Sequence, residues 1–122
     1  MKNTNSKIQA VGFTLIEIMI VVAIIGMLAA IAVPNFAKAR GAAQKTSCIN
    51  NLQKIDGAIQ VWALEQKKDS DQPVTYADIT GYLKNSVVCP SGGTSFDDSY
   101  TITTVDAKPI CQRRPDTHKL PL

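Results

Sequence analysis

Residues 13–33 form an apolar run broken by a single carboxylate, Glu17, and closed by Pro34. About 20 apolar residues let an α-helix cross a hydrocarbon core of roughly 30 Å, so the run predicts a helix that is membrane-inserted at some stage. Beyond Pro34 the apolar positions keep steps of three and four: Phe36, Ala39, Ala42, Ala43, Ile49, Leu52, Ile55, Ile59, Trp62 and Ala63. That spacing draws one apolar stripe down a helix. Lys38, Arg40, Lys45, Lys54, Asp56, Glu65 and Lys67 fall mostly off the stripe, as on a helix with one packed and one wet face. The pattern predicts one helix from about residue 13 to about residue 68, roughly 80 Å long at 1.5 Å per residue. A folded domain of this size has no use for so long a helix unless lipid or other copies of the chain cover half of it.

After residue 68 the pattern turns to loop and strand chemistry. Asp69-Ser70-Asp71-Gln72-Pro73 reads as a loop, and Thr75-Tyr76-Ala77-Asp78 as a capping box opening a short helix to about Asn85. Ile79, Tyr82 and Leu83 would then pack on the long helix near Trp62. Cys89-Pro90-Ser91-Gly92-Gly93-Thr94 is a turn, residues 99–105 alternate as a strand does, and a shorter strand is expected around Ile110 and Cys111. The tail from Arg113, with Pro115 and Pro121, has no period and reads as irregular.

The chain has 122 residues, enough for one domain. Its parts are residues 1–12 as a basic leader, 13–34 as the apolar helix, 35–68 as its amphipathic continuation and 69–122 as a small head. A head this small buries a thin core and needs a staple or a partner. The net charge of +3 is mild, with Lys2 and Lys7 contributing two charges in the leader, and no nucleic-acid affinity is expected. Of the three cysteines, Cys89 and Cys111 bracket a loop-rich segment while Cys48 stands apart in the helix. A bridge from Cys89 to Cys111 would close a loop of about 20 residues, worth roughly 3 kcal/mol in the chain-entropy model. The other reading is three reduced, buried thiols. No C-x-x-C pair is present and His118 is the only histidine, which weighs against zinc.

No catalytic constellation emerges, since any triad would have to recruit His118 from the aperiodic tail. Asp97, Asp98 and Asp106 have no spacing that specifies a calcium shell and read as turn carboxylates in water. The chain reads as non-enzymatic, with no metal or cofactor.

The N-terminal junction is the narrowest motif. A leader ending in Gly12, then Phe13-Thr14-Leu15-Ile16-Glu17, Gly26 within the apolar helix and Pro34 at its close resemble the leader junction of type IV prepilins and type II secretion pseudopilins. The resemblance covers about the first third of the chain. It implies a pilin-like α+β fold, in which a long N-terminal helix, transmembrane in its first half, packs against a small head with a short helix and a β-hairpin. It implies cleavage between Gly12 and Phe13 by a prepilin peptidase, N-methylation of Phe13, and assembly into a helical filament with other copies and related minor subunits on an inner-membrane platform. The expected location is the bacterial inner membrane, single-pass with the head outside the cytoplasm, and then a periplasmic or surface filament. Before assembly the helix lies in lipid. Glu17 is the expected assembly residue, pairing with the new amino group of Phe13 in an adjacent subunit. In the family the helix near the proline matching Pro34 can lose its regular hydrogen bonding inside the filament, and the resemblance implies the same here, helped by Gly26 and Gly41.

A second reading comes from Ala30-Ile31-Ala32, an A-x-A site at the end of the apolar run. Ordinary signal peptidase cutting after Ala32 would release a soluble, disulfide-stapled binding module. Against it stand the length of the run, Glu17 inside it and an amphipathic stripe that would lack a covering surface.

Overall fold

The computed structural model describes residues 11–121. Helix α1 spans Leu15–Gln66, and the chain divides into two compact units after Ala37. Lys2 and Lys7 lie outside the described residues. In the first unit the helix is exposed along its whole apolar stretch, with Leu15, Ile16, Met19, Val22, Leu28 and Ile31 all open to the surroundings. It passes through Pro34 without a break, although proline there gives up the backbone bond to the carbonyl four residues back.

In the second unit, Cys48, Leu52, Ile55, Ala58, Ile59, Trp62 and Ala63 are the buried face of α1. Their steps of three and four are the stripe that the pattern predicts, now with Cys48 on it. Phe36, Ala39, Ala42 and Ala43, assigned to the same stripe, are exposed and Ile49 is half-buried, so the packed part of the stripe begins at Cys48; Leu64, off the stripe, is exposed too. The helix ends two residues short of the expected limit because Lys67 takes a left-handed backbone, φ 51°. The Lys68 N–H then donates back to the Ala63 carbonyl at 2.9 Å, a Schellman-type closure that occupies an otherwise orphaned acceptor.

The head lays short elements on this face. Helix α2, Tyr76–Ile79, continues into a 3₁₀ turn, Thr80–Tyr82, so the expected helix stops three residues early. Its capping box forms as the sequence suggests: the Asp78 carboxylate accepts from the Thr75 backbone N–H at 2.9 Å and the Thr75 hydroxyl at 2.7 Å. Helix α3, Phe96–Ser99, leads into strand β1, Tyr100–Thr101, which pairs antiparallel with β2, Ile110–Cys111, with Tyr100 opposite Cys111. The seven-residue strand expected over 99–105 is therefore divided. Ser99 belongs to α3, the start of the stretch pairs with β2, and the end turns to the 72–74 segment, where Val74 N–H donates to Thr103 O at 2.9 Å and Val105 N–H to Gln72 O at 3.1 Å. Val74, Ile79, Val87, Cys89, Phe96, Tyr100, Val105 and Cys111 complete one core with the α1 face. Phe96 stacks on Tyr76 with ring centroids 4.1 Å apart. The architecture is α+β, a long helix and a small head.

Asp98 ties the start of α3 together. Its carboxylate accepts from the Thr94 hydroxyl at 2.5 Å, the Thr94 N–H at 3.0 Å, the Ser95 N–H at 3.1 Å and Arg113 Nη2 at 2.9 Å. These donors, the Thr94 hydroxyl first and the Ser95 N–H next, hold its pKa well below the usual carboxylate range. A depressed folded-state pKa gives stability that is present above the unfolded value of about 4 and is lost as pH falls towards the folded one. Asp98→Asn should therefore melt lower than the wild type at pH 7, and the gap should narrow below about pH 4. Thermal melts of both proteins across that range check it.

Candidate functional site

Two places carry side chains beyond simple packing, one in each unit. At the N-terminal junction, residues 11–14 lie outside α1 and are fully exposed, so the Gly12–Phe13 peptide bond sits in accessible, non-helical backbone. A Cβ on Gly12 would meet nothing within 4 Å. The helix starts where it does because the Thr14 hydroxyl accepts the Glu17 N–H at 3.3 Å, filling one of the first-turn donors that no helical carbonyl reaches. Glu17 thus occupies the third helical position, where the helix macrodipole favours a carboxylate. It is exposed and is the only charged side chain in residues 13–37. The geometry presents an exposed, non-helical Gly12–Phe13 bond and, one helical turn on, a carboxylate set among apolar residues.

In the second unit the sulfurs converge. Cys89 Sγ lies 3.6 Å from Cys111 Sγ and 3.7 Å from Cys48 Sγ; all three thiols are buried and free. Each arrives on a different element. Cys48 is one turn before Leu52 on the packed face of α1, Cys89 opens the turn closed by Gly93 N–H to Cys89 O at 2.8 Å, and Cys111 sits on β2. His118 joins them from the tail. Its side chain is buried, it contributes a ring nitrogen within 4.8 Å of all three sulfurs, and its Nδ1 has no hydrogen-bond partner. Tyr100 roofs the cluster, its hydroxyl 3.7 Å from Cys48 Sγ and accepting from Asn51 Nδ2 at 3.1 Å. Burial pushes the Cys48 thiol up to about 12 and raises the Tyr100 phenol. Burial, with the Arg114 and Lys45 cations adding to it, lowers His118.

Sequence reasoning pairs Cys89 with Cys111, and these two are indeed neighbours. It leaves out Cys48 and His118. The cysteine was readable, since Cys48 extends the Leu52, Ile55, Ile59 stripe by four residues. The histidine was not, because an aperiodic tail gives no sign of which residue turns inward. That tail is irregular as expected, yet it is folded on itself by the His118 N–H to Arg114 O bond at 2.8 Å and held to the head by Lys108 Nζ to Pro121 O at 2.8 Å and the packing of Leu120. Asp97, Asp98 and Asp106 do not come together with this cluster.

Residues 12–33 match the family model described as the prokaryotic N-terminal methylation motif. The chain is 40% identical over 83 residues to competence protein ComGC of Bacillus subtilis, covering 66% of this chain and 82% of that protein. It is 48% identical over 60 residues to type IV major pilin protein PilA of Myxococcus xanthus, covering 49% of this chain and only 27% of that protein. To type II secretion system core protein G of Klebsiella pneumoniae it is 35% identical over 57 residues, covering 47% and 41%. No solved structure gives a significant match. An exposed apolar helix behind a Gly-Phe junction, a glutamate one turn in, the methylation-motif match and similarity running along most of competence protein ComGC agree: the chain belongs to the type IV pilin and pseudopilin family, and it is a structural protein, not an enzyme.

Proposed function

We propose that the chain is made as a prepilin, clipped by a prepilin peptidase between Gly12 and Phe13, methylated on Phe13, and assembled through α1 into a pilus-like or pseudopilus filament. The observation that carries this reading is the apolar stretch of α1, exposed from end to end beside an accessible Gly12–Phe13 bond. So much bare apolar surface demands cover. Lipid supplies it before assembly, in the inner membrane with the head outside the cytoplasm; after assembly the helices of neighbouring copies and related minor subunits supply it. Handing the subunit from one to the other is the work of an inner-membrane assembly platform. Pro34 and Gly41 lie in the part of α1 that must adapt during this transfer, and local loss of helix there costs little because Pro34 already lacks its backbone bond.

The processing step is tested by intact mass and N-terminal sequencing of the protein recovered from the host membrane fraction. A chain beginning at N-methyl-Phe13 is expected. One beginning at Val33 in the soluble fraction would replace this reading with a secreted module, although Ala30, Ile31 and Ala32 lie within continuous helix, a poor conformation for a peptidase cleft.

A further inference from the structure

We propose that the head carries a structural zinc site made by Cys48, Cys89, Cys111 and His118. The four donors are buried and their ligand atoms lie within 4.8 Å of one another. Zinc–sulfur bonds of about 2.3 Å in a tetrahedron place sulfurs roughly 3.8 Å apart, close to the 3.6 and 3.7 Å found here, whereas a disulfide needs about 2.05 Å. A Cys89–Cys111 bridge would also use only two of the three thiols. It would leave the Cys48 thiol and the orphaned His118 Nδ1 with no role, and a buried polar atom without a partner is uncommon in a folded protein. A cation taken by all four donors accounts for every one of them.

The donor set selects the ion. Three thiolates and one imidazole form a soft, closed shell suited to zinc, and no carboxylate joins the cluster among the described residues, so calcium and magnesium are excluded. Three thiolates around a divalent ion leave one net negative charge. Lys45 and Arg114 line the same cleft as His118 and can offset it. The ligands come from α1, from the turn after Val88, from β2 and from the tail, so a single ion would join four separate segments of a head whose core is thin. It would also fix a tail that has no helix or strand of its own. The site stands apart from leader cleavage and filament assembly, and its test needs neither.

The test uses the full chain, extracted in detergent without chelator under anaerobic conditions, and analysed by native mass spectrometry, elemental analysis and exchange with zinc or cobalt salts alone. The expected result is a single zinc per chain, three reduced cysteines, and on cobalt exchange a thiolate-to-metal charge-transfer band with the strong d–d bands of a tetrahedral site. Stripping the metal should lower the melting temperature by roughly 10 °C, and added zinc should restore it. Cys48→Ser and His118→Ala should each weaken zinc binding by about tenfold or more, while His118→Cys, which exchanges one ligand type for another, should retain it. If the serine variant does not fold, the cobalt spectrum of the unaltered chain decides. A chain that takes up no metal, that lacks the charge-transfer band, or that weighs two protons less with Cys89 bonded to Cys111 overturns the proposal. So does a Cys48→Ser or His118→Ala variant that binds zinc as tightly as the wild type.

Discussion

Gly93→Ala is expected to lower the melting temperature of the detergent-solubilised chain by roughly 10 °C or more, from an overpacking cost of about 2 kcal/mol in a head of this size. A Cβ at this position would collide with Ser99 Oγ and come within 2.8 Å of the Cys89 nitrogen and 2.9 Å of its carbonyl oxygen. Neither neighbour can step aside cheaply. The Ser99 hydroxyl is fully buried and donates to Ser95 O at 2.6 Å, and Cys89 is backbone, held by the Gly93 N–H at 2.8 Å and by the sulfurs packed around its own side chain. Gly57→Ala is the matching control, because that helical glycine has nothing within 4 Å and alanine there should raise stability by up to about 1 kcal/mol. Gly92→Ala should fall between the two, since φ there is 102° and an L side chain is strained by about 1–2 kcal/mol without any clash. Thermal melts of the three variants give the order. Equal effects at positions 93 and 57 would mean that the Cys89–Gly93 turn is not packed as described.

The requirement at Gly93 marks the boundary of what the sequence discloses. Helix α1 was legible because Leu52, Ile55, Ile59 and Trp62 repeat at helical spacing and a period survives in one dimension. The Thr75–Asp78 cap was legible because its partners are three residues apart. The alternation over 99–105 correctly signals extended chain near its start and end, but not that β1 is two residues long. Ser95 and Asp98 form a second capping box, which pulls Phe96–Ser99 into a helix and starts the strand at Tyr100. What stayed hidden depends on contacts between residues far apart in the chain: the stacking of Tyr76 on Phe96, the approach of Gly93 to Cys89, and the turn of His118 towards three sulfurs. The lack of a short cysteine pair argues against a metal only where ligands come in such pairs. Here the four donors are separated by intervals of 41, 22 and 7 residues, and only the folded head brings them together.

Glu17→Ala is expected to leave leader cleavage intact and reduce filament incorporation by roughly a hundredfold, the equivalent of about 3 kcal/mol for stranding one member of a desolvated ion pair. On the processing proposed above, cleavage after Gly12 would create an ammonium group on Phe13 at the positive end of the helix macrodipole, where a cation is disfavoured and an anion welcome. In a filament core with no water, that group needs a carboxylate, and residues 13–37 offer only Glu17. Glu17 would in turn cost up to about 3 kcal/mol in the hydrocarbon core until it found a partner, a cost that on the proposed reading draws the subunit from lipid into the assembly. The subunit itself loses little in the variant. The Glu17 backbone N–H keeps its bond to the Thr14 hydroxyl, the side chain is exposed, and alanine is the better helix former. Defective assembly would therefore not reflect an unfolded helix. Glu17→Gln separates charge from polarity: it keeps the side chain's length and an acceptor oxygen, and it should fail nearly as badly as alanine if the ion pair is what matters. Immunoblots of sheared filaments against the membrane fraction, with N-terminal sequencing to verify processing, give the readout. Normal incorporation of the glutamine variant would remove the ion pair, and normal incorporation of the alanine variant would remove Glu17 from the assembly step and leave the cover of apolar surface as the whole driving force.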